Sequence, residues 1–177
     1  MIRIVFLFVL CCLSFVNAND SYAQKSYSPS TKCERTIFTE GDLVYVQNEH
    51  GFLLRLEAEN MKGGGLSLGF HIEAESLRKL NSQELFRTIF SEERAKELEN
   101  YRLLCVLHFN VETKKMEYVS FRWREEGEFP FKLSELKKIE DVFINYPYKI
   151  IPPLENYKQK GYVLWTFPVI FKKVYAN

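Results

Sequence analysis

Residues 101–111, Tyr-Arg-Leu-Leu-Cys-Val-Leu-His-Phe-Asn-Val, constrain the fold of this chain more than any other stretch. Read with strand alternation, Leu103, Cys105, Leu107 and Phe109 share one face, and Leu104, Val106 and His108 share the other. Apolar residues on both faces mark a central strand, so the chain must supply neighbours on either side of it.

The sequence around it provides candidates. Glu112-Thr113-Lys114-Lys115 turns the chain back into a strand from Met116 to Trp123, and Arg124 to Phe129 follows as a charged loop. Ser134 to Tyr146 has helical spacing, with Leu136, Ile139, Val142 and Phe143 facing inward. Pro152-Pro153 breaks the chain, and Gly161 opens a last strand in which Val163, Trp165, Phe167, Val169 and Phe171 point one way. Pro168 has no N–H for a ladder hydrogen bond, so this strand has at least one unpaired side there.

Towards the N-terminus, Asp42 to Glu75 reads as a three-stranded antiparallel meander with one wet face. Its strands are Leu43–Val46, a second with Phe52, Leu54, Leu56 and Ala58 inward, and a third with Leu66, Leu68, Phe70, Ile72 and Ala74 inward. Asn48 to Gly51 is the first turn, and Met61 to Gly65 is a loose connection. Asn81 with Glu84 has the spacing of a capping box before Leu85 and Phe86. Ser91 caps a second helical start, with Glu92 and Glu93 in its first turn and an end near Asn100. The expected class is α+β with an antiparallel sheet and three short helices: residues 35–80 form the meander and 81–177 a second module packed with it as one domain.

Met1 to Ala18 sets the compartment. Arg3 is its only charge, Ile4 to Val16 is apolar apart from Ser14, and Val16-Asn17-Ala18 has the small-residue spacing read by signal peptidase. Cleavage is expected after Ala18, or after Ala23 with Ser21 at −3. The apolar run is shorter than the ~20 residues needed to span a bilayer. Leu10 before Cys11 argues against lipidation. The chain is therefore expected to be exported to the periplasm or beyond, with no membrane span after cleavage. Residues 19–34 are polar and aperiodic and read as a flexible leader.

Without Arg3 the chain holds 23 basic and 23 acidic residues, a balance that argues against a nucleic-acid partner. Two cysteines lie beyond the leader, Cys33 and Cys105. In an oxidising compartment they could pair, or Cys105 could serve as a small apolar residue in its strand.

No catalytic motif emerges. His50 falls in a turn, His71 on a solvent face and His108 in the central strand, none at metal-ligand spacing. Cys105 and His108 point to opposite faces of one strand and cannot act together. Gly63-Gly64-Gly65 lacks the strand, helix and Lys of a phosphate loop, and no Gly-x-Ser-x-Gly occurs. Among the aromatics, Trp165 falls with the inward set, while Trp123 ends its strand and can roof the core or stack on a ligand. No catalytic, cofactor or metal residue is assigned.

Residues 91–173 run short helix, strand, turn, strand, helix, Pro-containing loop, strand. With Leu107-His108-Phe109-Asn110-Val111 before the turn and Phe167-Pro168-Val169-Ile170-Phe171 at the end, this half resembles the C-terminal domain of TonB-type periplasmic proteins. The hairpin departs from that family, with Lys114 and Lys115 where an Asp and a Gly are usual. The uncleaved anchor and Pro-rich spacer of the energy-coupling proteins are absent, so the resemblance implies the fold and not the energy coupling. The whole architecture is similar to uncharacterised secreted families of the Bacteroides type. The TonB-type resemblance implies partner binding by strand addition. With Pro168 it points to an exported non-enzymatic module that meets a protein or peptide of the envelope along Tyr162, Leu164, Thr166 and Pro168. The competing expectation is an envelope or extracellular hydrolase whose residues are scattered.

Overall fold

The computed structural model describes residues 22–26, 35–48, 50–59, 69–123, 129–153 and 160–176. The leader Met1–Ala18, Cys33, and Gly63 to Gly65 lie outside the described residues. No helix among the described residues is long and apolar enough to cross a membrane.

The fold is α+β, as the patterning predicts. Nine strands are described: β1 (Tyr22–Ser26), β2 (Arg35–Glu40), β3 (Leu43–Gln47), β4 (Leu53–Arg55), β5 (His71–Ile72), β6 (Leu103–Asn110), β7 (Lys115–Trp123), β8 (Ile150–Ile151) and β9 (Tyr162–Val169). Seven form one antiparallel sheet in the order β1-β2-β3-β4-β7-β6-β9, and β5 pairs with β8 in a second. Five α-helices accompany them: α1 (Leu56–Glu59), α2 (Ala74–Asn81), α3 (Glu92–Glu97), α4 (Leu133–Asn145) and α5 (Phe171–Val174), with a 3-10 turn at Glu84–Thr88.

β6 is central to its half of the sheet, flanked by β7 and β9. Leu103, Cys105, Leu107 and Phe109 are at most 4% exposed. α4 lies over this face; Leu136, Ile139 and Phe143 are fully buried, and the Phe143 ring meets Phe167 at 5.4 Å and Phe86 at 5.8 Å. The helix start is fixed by a distant residue. Glu40, at the end of β2, accepts hydrogen bonds from the Leu133 and Ser134 amides and from the Ser134 hydroxyl. That places a carboxylate on the positive end of the helix dipole. Arg94 of α3 grips Glu135 of α4 through two N–H···O bonds, 2.7 and 3.0 Å, and donates to the Pro130 carbonyl.

Several expectations need correcting. Tyr22–Ser26 lies within the span read as a flexible leader, yet its backbone pairs with β2. The meander is real but built from β1, β2, β3 and β4. Its inward residue in the last strand is Leu53, fully buried, not Leu54, and the strand gives way to helix at Leu56. The expected third strand is replaced: residues 66–68 lie outside the described part, His71–Ile72 pairs with β8, and Ala74 begins α2. Asn81 is therefore the end of a helix rather than a cap, and the turn that follows hinges on Gln83, with φ of 63°. Ser91 does cap α3, accepting from the Arg94 amide at 3.2 Å, and the helix ends at Glu97. The meander extends the sheet from β7, on the far side of β6 from β9.

The β6–β7 hairpin closes without glycine. Asn110 Oδ1 accepts from the Glu112 and Thr113 amides, and Lys114 takes the left-handed conformation at φ of 55°.

Candidate functional site

The last strand is the edge of the seven-stranded sheet. The direction of its backbone groups follows from one hydrogen bond. Val111 N–H donates to the Gly161 carbonyl, 3.1 Å, continuing the register that sets Asn110 opposite Tyr162 and Leu103 opposite Val169. Bonded pairs alternate in an antiparallel ladder, so Val163, Trp165, Phe167 and Val169 bond to β6. Tyr162, Leu164, Thr166 and Pro168 turn their backbone groups away from it.

Gln83 gives an independent check on that phase. Its side chain is 1% exposed, accepts from the Ile170 amide at 2.9 Å and donates to the Pro168 carbonyl at 3.4 Å. Both partners are even-numbered and outward, as the ladder requires. The Gln83 amide thus closes the end of the edge, and Pro168 sits where no N–H is needed.

Of the four edge residues expected from sequence, Leu164 is 40% exposed and Thr166 and Pro168 are exposed, while Tyr162 is only 7% exposed. The Tyr162 side chain is turned to the sheet, although its backbone groups share the outward phase. Its hydroxyl donates to Glu117 Oε2, and its ring lies edge-on to His108 and Tyr118. Burial and the Glu117 bond push the Tyr162 phenol up to about 12. Burial raises Glu117, but bonds from Tyr162, Thr113 and Asn110 outweigh it and hold its carboxyl below the usual range. The stretch of the edge where backbone groups and side chain are both open is Leu164 and Thr166. Among the described residues no strand pairs with them.

Beside the edge, on the outer face of the sheet, His108 stacks on Tyr118 with ring centroids 4.0 Å apart, and its Nε2 is 2.9 Å from Ser120 Oγ. Burial lowers the imidazole to about 4, so it is neutral at physiological pH. Ser120 is 5% exposed, and among the described residues no carboxylate hydrogen-bonds His108. A nucleophile needs a base of matched basicity, an orienting group and access for its substrate; this pair shows none of them.

The other candidates separate. Cys105 is a free, fully buried thiol, and burial raises its pKa well above the ordinary range; only this end of the expected disulfide lies in the described residues. Trp123 sits edge-on to Phe38 and Phe129 and roofs the core. Among the described residues no three His, Cys, Asp or Glu side chains gather to hold a metal.

Sequence reading missed a cleft of about 1150 Å³ at one end of β6, β7 and β9. Arg102, Arg122, Lys172 and Lys173 line it, with Glu99 the only acidic residue among its described lining, and Pro168 to Phe171 form one wall. Basic residues scattered over seventy positions of sequence carry no local signal; the end of the sheet gathers them.

No protein-family model matches the chain, and no curated protein matches its sequence. Among solved structures it is similar to a DUF5043 family protein from Bacteroides uniformis, at 12% identity and a TM-score of 0.47, over 86% of this chain and 93% of that one. An overlap of that size bears on neither membership nor chemistry.

Proposed function

We propose that this chain is an exported, non-enzymatic binding module that captures an extended peptide segment by strand addition along β9. The observation that carries the reading is the phase of β9: Leu164 and Thr166 present backbone donors and acceptors outward, and Gln83 stops the edge at Pro168. Main-chain bonds supply affinity in this mode, and alternate side chains supply selection. The exposed Leu164 is the selecting side chain. The signal-peptide pattern of Met1 to Ala18 supports export to the envelope, and the TonB-type resemblance of residues 91–173 supports strand addition.

Hydrogen exchange with a displayed decapeptide library tests the reading. In the isolated protein the Leu164 and Thr166 amides should exchange fast, while Val163, Trp165 and Phe167 exchange slowly. Peptides selected on the protein should slow Leu164 and Thr166 and lose binding to Leu164→Pro. Uniformly slow exchange in the free monomer would show the edge already paired and end the proposal. Mass spectrometry of protein from its native host tests export: the chain should begin near Asn19 or Gln24, and an intact Met1 would defeat it.

A further inference from the structure

The described lining of the cleft at the end of β9 is rich in positive charge. Arg102, Arg122, Lys172 and Lys173 are exposed, and none forms an ion pair with a described carboxylate. By contrast, three cations of α2 and α3 have carboxylate partners: Arg78 and Lys79 reach Glu75, and Arg94 reaches Glu97 and Glu135. Arg122 lies over the Phe52 ring at 5.4 Å, and the four cations, with Glu99 the one carboxylate among the described lining, set up a field that favours an anion. The cleft volume of about 1150 Å³ exceeds that of an ordinary small-ligand pocket, which suits a length of chain better than a single ion.

Position selects the occupant. Pro168, Val169 and Ile170 belong to the cleft wall, and Thr166, the last open edge residue, lies two positions before Pro168. Gln83 blocks the edge at that point, so a strand laid along Leu164 and Thr166 must leave β9 there. Where it leaves, it meets the cleft. Every strand pair in the sheet is antiparallel. An added strand of the same sense runs against β9, so its N-terminal end lies at the cleft.

We infer that the cleft is the second half of the binding site and receives an acidic segment of the peptide, placed immediately N-terminal to the stretch that pairs with β9. The inference rests on the strand-addition reading. It adds a charge and a direction: the partner is a peptide with Asp or Glu ahead of an extended apolar stretch.

Three synthetic peptides of one length test it. One has three Glu residues before a Val/Thr-rich extended stretch, one has them after it, and one has Gln in their place. Affinity is read by fluorescence anisotropy and strand pairing by amide exchange. The peptide with leading Glu should bind about tenfold tighter than the other two, a preference built from exposed pairs and lost as salt rises from ~50 to ~500 mM. Arg102→Glu/Lys172→Glu/Lys173→Glu should abolish that preference and leave the Gln peptide's affinity unchanged. These side chains are exposed, and an unaltered melting temperature confirms that the variant folds.

Equal affinity for all three peptides, with Leu164 and Thr166 still slowed, overturns the cleft's role and leaves strand addition standing. Tighter binding of the leading-Glu peptide with no slowing at those amides overturns strand addition and, with it, the direction assigned here. A sulfated oligosaccharide that outcompetes the leading-Glu peptide at equal charge overturns the inference in favour of a glycan.

Discussion

On the inner face of the sheet, β6 presents Leu103, Cys105, Leu107 and Phe109 to α4, none more than 4% exposed. One residue out of phase, the same strand presents Leu104, Val106 and His108, of which only Val106 is buried. The inner face is held by apolar area and ring contacts, with Phe143 between Phe86 and Phe167. The outer face is held by a network of rings and hydrogen bonds, His108 with Tyr118 and Ser120, and Tyr162 with Glu117. A face that needs no helix over it can keep its edge strand accessible. The difference separates what holds the fold from the surface that the proposed binding would use, and it can be broken by substitution.

The largest effect belongs to the inner face. Phe143→Ala empties a fully buried site between two rings and should cost about 4–5 kcal/mol in urea unfolding. A loss below about 2 kcal/mol would mean that α4 does not anchor the core.

An ionic exception sits within the packed side. Glu140 of α4 is fully buried, with Arg55 Nε 2.7 Å from its Oε2 but off the hydrogen-bonding line. Burial raises the Glu140 pKa, and the Arg55 charge pulls it partly back. Arg55→Met should cost about 3–4 kcal/mol, because it leaves a buried carboxylate alone. The loss should be smaller near pH 5 than near pH 8: a raised folded pKa gives stability at low pH that is lost as pH rises through it. Arg55→Met/Glu140→Leu should recover most of the loss. Equal instability of the single and double variants would show that packing, not charge, is at stake.

The sequence made the inner face legible because a two-residue period over β6 and a 3.6-residue period over α4 depend only on local chain geometry. The same reading mistook Leu54 for the inward residue and ran a strand through Leu56 to Ala58, where helix α1 begins. Two-residue alternation over six residues fits two phases, and only pairing with β3 and β7 chooses between them. The edge was half legible. Pro168 announced an unpaired side, but nothing local tells that Gln83, 85 residues away, closes its end or that Tyr162 is occupied by Glu117. The four cleft cations are legible only once the sheet is assembled.

The outer face should show its own pH dependence. Burial lowers His108 to about 4, against about 6.5 in the unfolded chain. A depressed folded pKa gives stability that is full above the unfolded value and lost as pH falls towards 4. The groups around it do not mask this: Tyr118 and Tyr162 stay neutral, and Glu117, held below the usual carboxylate range, is bonded to Tyr162. His108→Gln keeps a partner for Ser120 without titrating. Between pH 7 and pH 4 the wild type should therefore lose roughly 3 kcal/mol more than His108→Gln, read from urea midpoints. Parallel pH profiles would place His108 in water.

The smallest effect is the one that separates edge from interior. Proline removes one N–H, so its cost depends on where that N–H points. At Trp165 the amide bonds to β6, opposite Leu107; at Leu164 it points to the open side. Comparing Pro with Ala at each position cancels the loss of side chain. Trp165→Pro should be about 3 kcal/mol less stable than Trp165→Ala, through the lost ladder bond and the distorted strand. Leu164→Pro should lie within about 1 kcal/mol of Leu164→Ala, since the only bond it removes is one to water. Near-native stability together with lost peptide binding in Leu164→Pro would locate binding in the backbone of the edge. Equal proline costs at 164 and 165 would mean that both amides are paired, and the edge would then be closed.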